Sequence, residues 1–339
     1  MNSRERVIRT LNFDNPDRIP RDLWELPGID IYQPGAAQRV LDKYPKDIYR
    51  FSIDKPKLPF MQGNVSEPGI YVDEWGCTWT NLKRGIIGEI KEPLVKDWSE
   101  LDKVKVPTQW IGKGYDQVNE ICASSDKFTR IFLGTIFERM QWIRGPENLY
   151  MDLALQPPEF FKLRDMIFDY LMAEMEAVCK TNVDSVSVND DWGSQSALLI
   201  SPPMWRKLFK PLYKQLADKA HAAGKYYFMH SDGYIMDIYE DLIEIGVDAV
   251  NSQLFCMPIE EIGQKFAGRI TFWGEIDRQH LLVHGSEQEV RDAVERVRNS
   301  LSRNNGGVIA QLSYELDTKF ENVMAIYDQW QKLPQSRAR

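Results

Sequence analysis

Cysteine is scarce: four in 339 residues, and Cys77, Cys122, Cys179 and Cys256 stand far apart with no CxxC spacing. That argues against a disulfide framework and a cysteine-only zinc site, and makes a reducing cytoplasm the expected compartment. No run of about 18 uncharged apolar residues occurs. The N-terminus, MNSRERVIRTLNFDNPDRIP, is charged from its fourth residue and lacks an apolar leader, so a soluble, unsecreted chain with no membrane partner is expected. Long runs of one charge sign are also missing. The net charge is −8, the pI is near 5.3, and acids and bases are interspersed, which weighs against nucleic acid or anionic membrane as partners. No GxGxxG follows a first strand, so neither the dinucleotide-binding open sheet nor a nucleotide cofactor is expected.

What is present is a core-forming composition, 43% hydrophobic, with ten tryptophans. Many of its aromatics fall in the first 150 residues, where a Trp-rich loop region can wall a pocket for a flat ligand. The most informative stretch is KYYFMHSDG (Lys225–Gly233). Tyr226 to Met229 are too few for a helix and apolar on both faces, as in a central strand of a parallel sheet or barrel. Gly224, Gly246, Gly268 and Gly307 each follow a helical pattern and precede a short apolar run: KYYFMH, VDAVNS, RITFWG and VIAQLS. Glycine at a helix end before a buried strand marks the αβ junction of a βα-repeat protein. Further strands are expected in RIPRDLW (18–24), RIFLG (130–134) and DSVSVN (184–189), with helices over 3–12, 137–143, 146–155, 158–178, 203–221, 235–245, 258–266, 287–300 and 320–330. Residues 71–80 and 85–94 read as a hairpin.

The fold class expected is α/β, a single (β/α)8 TIM barrel spanning 1–339. Residues 1–128 form an elaborated, irregular part and 129–339 the regular βα repeats. In such a barrel the C-terminal strand ends converge on one space. Along the chain they present Thr135 and Glu138; Asn189, Asp190 and Asp191; His230 and Asp232; Asn251 and Gln253; Glu275 and Asp277; Gln311, Ser313 and Glu315. The result is an acidic cup with one histidine, suited to a divalent metal, proton transfer, or a cationic or hydroxylated ligand. Each position also has a structural reading: a hydrogen-bonded histidine at 230, helix capping by Asp190 and Asp191, capping or ion pairing by Glu275 and Asp277, and a structural Glu138. His221, His280 and His284 fall on helix or loop surfaces.

Six segments resemble the uroporphyrinogen decarboxylase superfamily, which includes corrinoid-dependent methyltransferases. They are RERVIRTLNFDNPDRIP, FERMQWIRGPENLYMDL (137–153), NDDWGSQSALLISPPMW (189–205), HSDGYIMDIYEDLIEIGVDAVNSQ (230–253), FWGEIDRQHLL (272–282) and FENVMAIYD (320–328). They occur in order along nearly the whole chain. The resemblance implies a (β/α)8 barrel with its site at the C-terminal face. True uroporphyrinogen decarboxylases carry an Arg-rich loop for propionates, but the corresponding RDLWELPGIDIY (21–32) is acidic and apolar. In relatives acting on coenzyme M, zinc is held by His-x-Cys and a second Cys. Here His230 is retained, Asp232 replaces the first Cys, and Ser313 lies near the place of the second. A His, Asp and Glu set can still hold zinc or another divalent ion.

The resemblance therefore implies a methyltransferase that moves a methyl group from a small methoxy- or methylated substrate to a corrinoid carried by a partner protein. In this reading His230 is a metal ligand, with Glu275, or a general acid oriented by Asp232. Asp190 and Asp191 complete the catalytic set, and Asn189, Gln253, Glu275, Asp277 and Glu315 contact substrate. The alternatives are a decarboxylase or lyase acting on a small carboxylated substrate, and a non-catalytic ligand-binding barrel. A homodimer is expected by analogy with other barrels of the superfamily.

Overall fold

The computed structural model describes residues 1–302 and 305–332. Its strands are β1 (Arg21–Glu25), β2 (Ile48–Phe51), β3 (Gly69–Val72), β4 (Thr78–Asn81), β5 (Phe128–Gly134), β6 (Ser185–Asn189), β7 (Tyr226–Ser231), β8 (Ala249–Ser252), β9 (Thr271–Trp273) and β10 (Val308–Tyr314). Eight of them form one parallel sheet in the order β1-β10-β9-β8-β7-β6-β5-β2, surrounded by helices. This is a nearly closed (β/α)8 barrel, as the alternation of apolar runs and helical patterns predicts. No helix among the described residues is long and apolar enough to cross a membrane.

The seam between β1 and β2 is closed by one residue. Asp47 N donates to Arg21 O at 2.8 Å, and Arg21 N donates to the Asp47 carboxylate at 2.7 Å. The carboxylate is fully buried and also pairs with Arg6 at 2.6 Å and Arg18 at 2.7 Å. A buried carboxylate needs such partners, and they come from the N-terminal segment RERVIRTLNFDNPDRIP. Helix Ser3–Leu11 thus plugs the N-terminal end of the barrel. Its Val7 and Leu11 pack with Ile48, Phe128, Phe228, Ala249, Trp273 and Ile309 in the interior floor.

Two details depart from the sequence reading. The hairpin is β3 with β4 rather than 71–80 with 85–94, and Glu89 only bridges Thr80. Asp73 makes the turn, its Oδ1 accepting from Trp75 N at 3.0 Å and Cys77 N at 2.8 Å, so the chain reverses within Tyr71–Thr80. The helix expected over 203–221 is two, Pro202–Leu208 and Lys210–Ala222, separated at Phe209. Residues 1–128 supply two barrel strands, β1 and β2, as well as the hairpin that covers the C-terminal mouth. Arg139 ties that cover to the barrel through Asp73 at 2.7 Å and Glu74 at 2.8 Å.

Candidate active site

The loops after β6 and β7 are laced together by their backbones. Asp190 N donates to His230 O at 3.0 Å, Gly193 N to Asp232 O at 3.1 Å, and Tyr234 N to Ser194 O at 2.7 Å. Trp192 N donates to Ser231 Oγ at 3.0 Å, and Asp232 N to Asp191 Oδ1 at 2.8 Å. Gly193 and Gly233 allow this approach. A Cβ on Gly193 would lie 2.4 Å from Tyr234 N, and one on Gly233, whose φ is +77°, would lie 2.2 Å from Gly193 O. The lacing brings Asp191, His230 and Asp232 into one cluster whose ligand atoms lie within 4.8 Å of one another.

His230 is held from behind. Its Nδ1 lies 2.5 Å from Asn251 Oδ1, at the end of neighbouring β8. Asn251 Nδ2 donates to Gln311 Oε1 at 2.8 Å and to the carbonyl of Trp273. With both amide protons so used, Oδ1 must accept, so Nδ1 of His230 carries a proton and Nε2 is the nitrogen whose lone pair a metal ion would use. That Nε2 lies 3.6 Å from both Asp191 Oδ1 and Asp232 Oδ1. Trp24 floors the site, its ring centroid 5.3 Å from the imidazole.

Asp190 turns away from this cluster. Its carboxylate is fully buried and accepts from Ile136 N and Glu138 N, each at 2.8 Å, and from Tyr213 Oη at 2.5 Å. Burial pushes its pKa up to about 7 against these bonds. It anchors the start of helix Phe137–Arg144 and thereby places Glu138 beside the cluster. Burial, then the charges of Asp191, Asp190 and Asp232, push the Glu138 carboxyl up to about 9. Burial likewise raises Asp191, while His230 opposes it.

On the other side lies Arg278, which the strand-end inventory omits. Its guanidinium bonds Asp232 and approaches Glu315 at 3.4 Å and Glu275 at 3.7 Å. Burial acts to lower its pKa, but Glu275, Asp232 and Glu315 outweigh it and hold the arginine firmly charged. Glu275 is only 4% exposed, and burial pushes its carboxyl up to about 8 despite Arg278. The signal for this pair is the i,i+3 spacing in EIDR, immediately after a strand.

The remaining candidates divide by what they touch. Asp277 Oδ1 accepts from Gln279 N at 3.0 Å and His280 N at 2.9 Å, which makes it a turn cap. Gln253 Oε1 accepts from Gly233 N at 3.0 Å and steadies the β7 loop. Asn189 sits in register with His230, and its buried Oδ1 has no hydrogen-bond partner. Buried Asp232 Oδ1 is likewise without one.

The donor set fits a divalent cation. It combines one imidazole nitrogen with a fixed tautomer and two carboxylates, one with an orphaned oxygen aimed into the cluster, and it contains no thiolate. Glu275 lies outside this group and serves Arg278 instead. A cavity of about 570 Å³ lies at the opposite end of the barrel between Arg4, Asp184 and Lys225, away from the cluster. A second, of about 380 Å³, opens at the C-terminal ends of β2 and β5, under the hairpin.

A parallel (β/α)8 barrel with a buried histidine and carboxylates gathered at the C-terminal strand ends is the architecture of barrel enzymes. Among solved structures, a methyltransferase from Methanosarcina mazei superposes on 98% of this chain and 99% of its own, with a TM-score of 0.71 at 14% identity. A chitinase from Chromobacterium violaceum covers 93% of this chain and 100% of its own at 10% identity, with a TM-score of 0.43. A D-psicose 3-epimerase covers 61% and 73% at 9% identity, with a TM-score of 0.40. No curated protein matches the sequence. Residues 75–333 match the uroporphyrinogen decarboxylase family, and the chain belongs to it.

Proposed function

We propose that the protein transfers a methyl group from a small methoxy- or methylated substrate to the cobalt of a corrinoid carried by a separate protein. The observation that carries the reading is His230, fixed by Asn251 with its Nε2 facing Asp191 and Asp232. Demethylating an ether or amine asks for help at the departing oxygen or nitrogen, because reduced cobalt is itself the nucleophile. Asp191, His230 and Asp232 would hold a divalent ion, which when bound supplies Lewis acidity to that leaving atom. Asn251 orients the imidazole, and Arg278 holds Asp232 in place. Glu138, neutral at pH 7 by its raised pKa, holds a proton beside the cluster for the departing group.

Arg278 also weighs against a polyanionic substrate: three carboxylates already surround it, leaving it no unopposed charge. The Methanosarcina methyltransferase provides a precedent for methyl transfer on a barrel of this shape. A second reading, decarboxylation of a small acid, is favoured by family membership and by the two raised carboxyls, Glu138 and Glu275, as proton donors to a carbanion.

The test is anaerobic incubation with free cob(I)alamin and a panel of methoxylated and N-methylated compounds, followed by absorbance. Methylcobalamin formation that His230→Ala abolishes supports the proposal. Release of CO2 from a carboxylated panel, with no methylation of cobalt, overturns it in favour of the second reading.

A further inference from the structure

The cavity of about 380 Å³ beside the site has a composition of its own. Its volume falls within the roughly 300–1,000 Å³ of small-ligand sites. Trp75, Trp110, Trp142, Tyr115, Tyr170 and Phe132 supply aromatic wall on several sides. Three cations also line it, and two are already matched: Lys55 by Glu174 at 2.9 Å, and Arg139 by Asp73 and Glu74 at 2.7 and 2.8 Å.

The third is Arg50, on β2, whose side chain has no hydrogen bond or ion pair among the described residues. Its guanidinium lies over the Phe132 ring, Cζ 5.8 Å from the centroid, and remains accessible from the cavity. The surroundings hold it below the ordinary arginine range chiefly through lost solvation, with only Asp22 acting in the opposite sense. Asp22 offers it little, because its Oδ2 already accepts from Trp24 Nε1 at 2.9 Å and Trp273 Nε1 at 3.0 Å. An arginine fork with free donors inside an aromatic chamber is a receptor for a planar group bearing one carboxylate.

We infer that this cavity is the substrate chamber and that its ligand is an aromatic monocarboxylate, the ring between the tryptophans and the carboxylate on Arg50. The inference rests on the methyl-donor reading, which makes that ligand a methoxylated aromatic acid. The cavity sits at the ends of β2 and β5, and β5 is two strands from β7 and His230. Thr135 and Arg139 in its wall flank Glu138, so the chamber and the cluster share the turn after β5.

The test is binding alone, so its failure is separable from failure of methyl transfer. Tryptophan fluorescence of the full chain is titrated with 4-methoxybenzoate, 4-methoxybenzamide, phenylphosphonate and acetate, for wild type, Arg50→Lys and Arg50→Gln. The expected result is saturable quenching by 4-methoxybenzoate, at least about tenfold weaker binding of the neutral amide, and a similar loss in Arg50→Gln that Arg50→Lys partly restores. Because the Arg50 side chain has no hydrogen-bond or ion-pair partner among the described residues and only a 5.8 Å approach to the Phe132 ring, the thermal midpoints of the variants should stay close to wild type. Equal affinity for acid and amide, an unchanged Arg50→Gln, or no binding of either aromatic overturns the inference. Tighter binding of phenylphosphonate than of 4-methoxybenzoate overturns the carboxylate assignment in favour of a phosphoryl group.

Discussion

Asn251 fixes the proton of His230 on Nδ1: its Oδ1 lies 2.5 Å from that nitrogen, while its Nδ2 is committed to Gln311 and the Trp273 carbonyl. The residue at the end of one strand thereby decides which nitrogen a neighbouring strand presents to the cup. Asn251→Ala should leave the ring free to rotate and change tautomer. Divalent-metal affinity is expected to fall by about 10–100-fold, the usual effect of losing a partner behind a ligand. Stability should fall by about 1–3 kcal/mol, since buried groups on Gln311 and His230 lose their bonds. Metal titration by calorimetry beside urea denaturation checks both. Unchanged metal affinity with lowered stability would mean that Asn251 only supports the barrel.

Arg278 is 14% exposed and faces Asp232, Glu275 and Glu315. Removing it takes away the cation that opposes the rise of the buried Glu275 carboxyl, leaving Asp232 and Glu315 to push that carboxyl further up. Arg278→Ala is expected to cost about 1–3 kcal/mol, because Glu275, whose carboxyl burial already raises to about 8, takes up a proton rather than staying as a stranded charge. Glu275→Gln in the same chain should recover part of that loss, because the unmatched carboxyl is removed with it. Denaturant melts of the two single variants and the double variant give the coupling. Strict additivity would show that the two groups do not interact.

How far the sequence carries can be judged from β2 and Arg278. Seven of the eight barrel strands are apolar runs or alternations bounded by glycine or helix, and periodicity finds them. β2 is the four residues IYRF, with a half-buried tyrosine and an arginine turned into a cavity, so it has too little apolar signal to separate from loop. His230, Asp191 and Asp232 are legible because strand ends must converge. Arg278 is not, because it reaches back from the turn after the strand, and only three-dimensional packing shows an acidic cup with a cation at its centre. Asp190 and Asp191 are neighbours in the same motif, yet one anchors the β5 turn and the other faces the histidine. Alternation along the chain places them on opposite sides but does not say which side is the site.

Far from the cup, His221 Nε2 and Asp248 Oδ2 are 2.9 Å apart, and the same carboxylate accepts from Tyr227 N at 2.7 Å at the base of β7. The hydrogen bond to Asp248 raises the His221 pKa, with burial opposing. A group whose folded pKa is raised contributes stability fully below its unfolded value, about 6.5, and loses it as pH rises through the folded value. His221→Gln should therefore be destabilised relative to wild type at pH 6 and much less so at pH 8.5. The side chain is 38% exposed, so screening keeps the difference below about 1 kcal/mol. Thermal melts of both proteins across this range check it. A gap that stays constant with pH would assign the effect to packing.

The distance between Asp191 and Asp232 depends on two glycines that bear no chemistry. Gly193 lies against Gly233 and Tyr234 so closely that an added Cβ would meet Tyr234 N at 2.4 Å and Gly233 C at 2.5 Å. Both are backbone atoms, so no side chain can swing aside, and the β6 loop must retreat from the β7 loop. Overpacking of this kind costs roughly 1–3 kcal/mol. Gly193→Ala should also loosen the bond from Asp232 N to Asp191 and widen the carboxylate pair around His230 Nε2. The expected signature is a loss of metal affinity larger than that of an equally destabilised variant remote from the site. Metal titration of variants matched for stability measures it. Equal affinity in the two would show that the loops move together and that Gly193 serves packing alone.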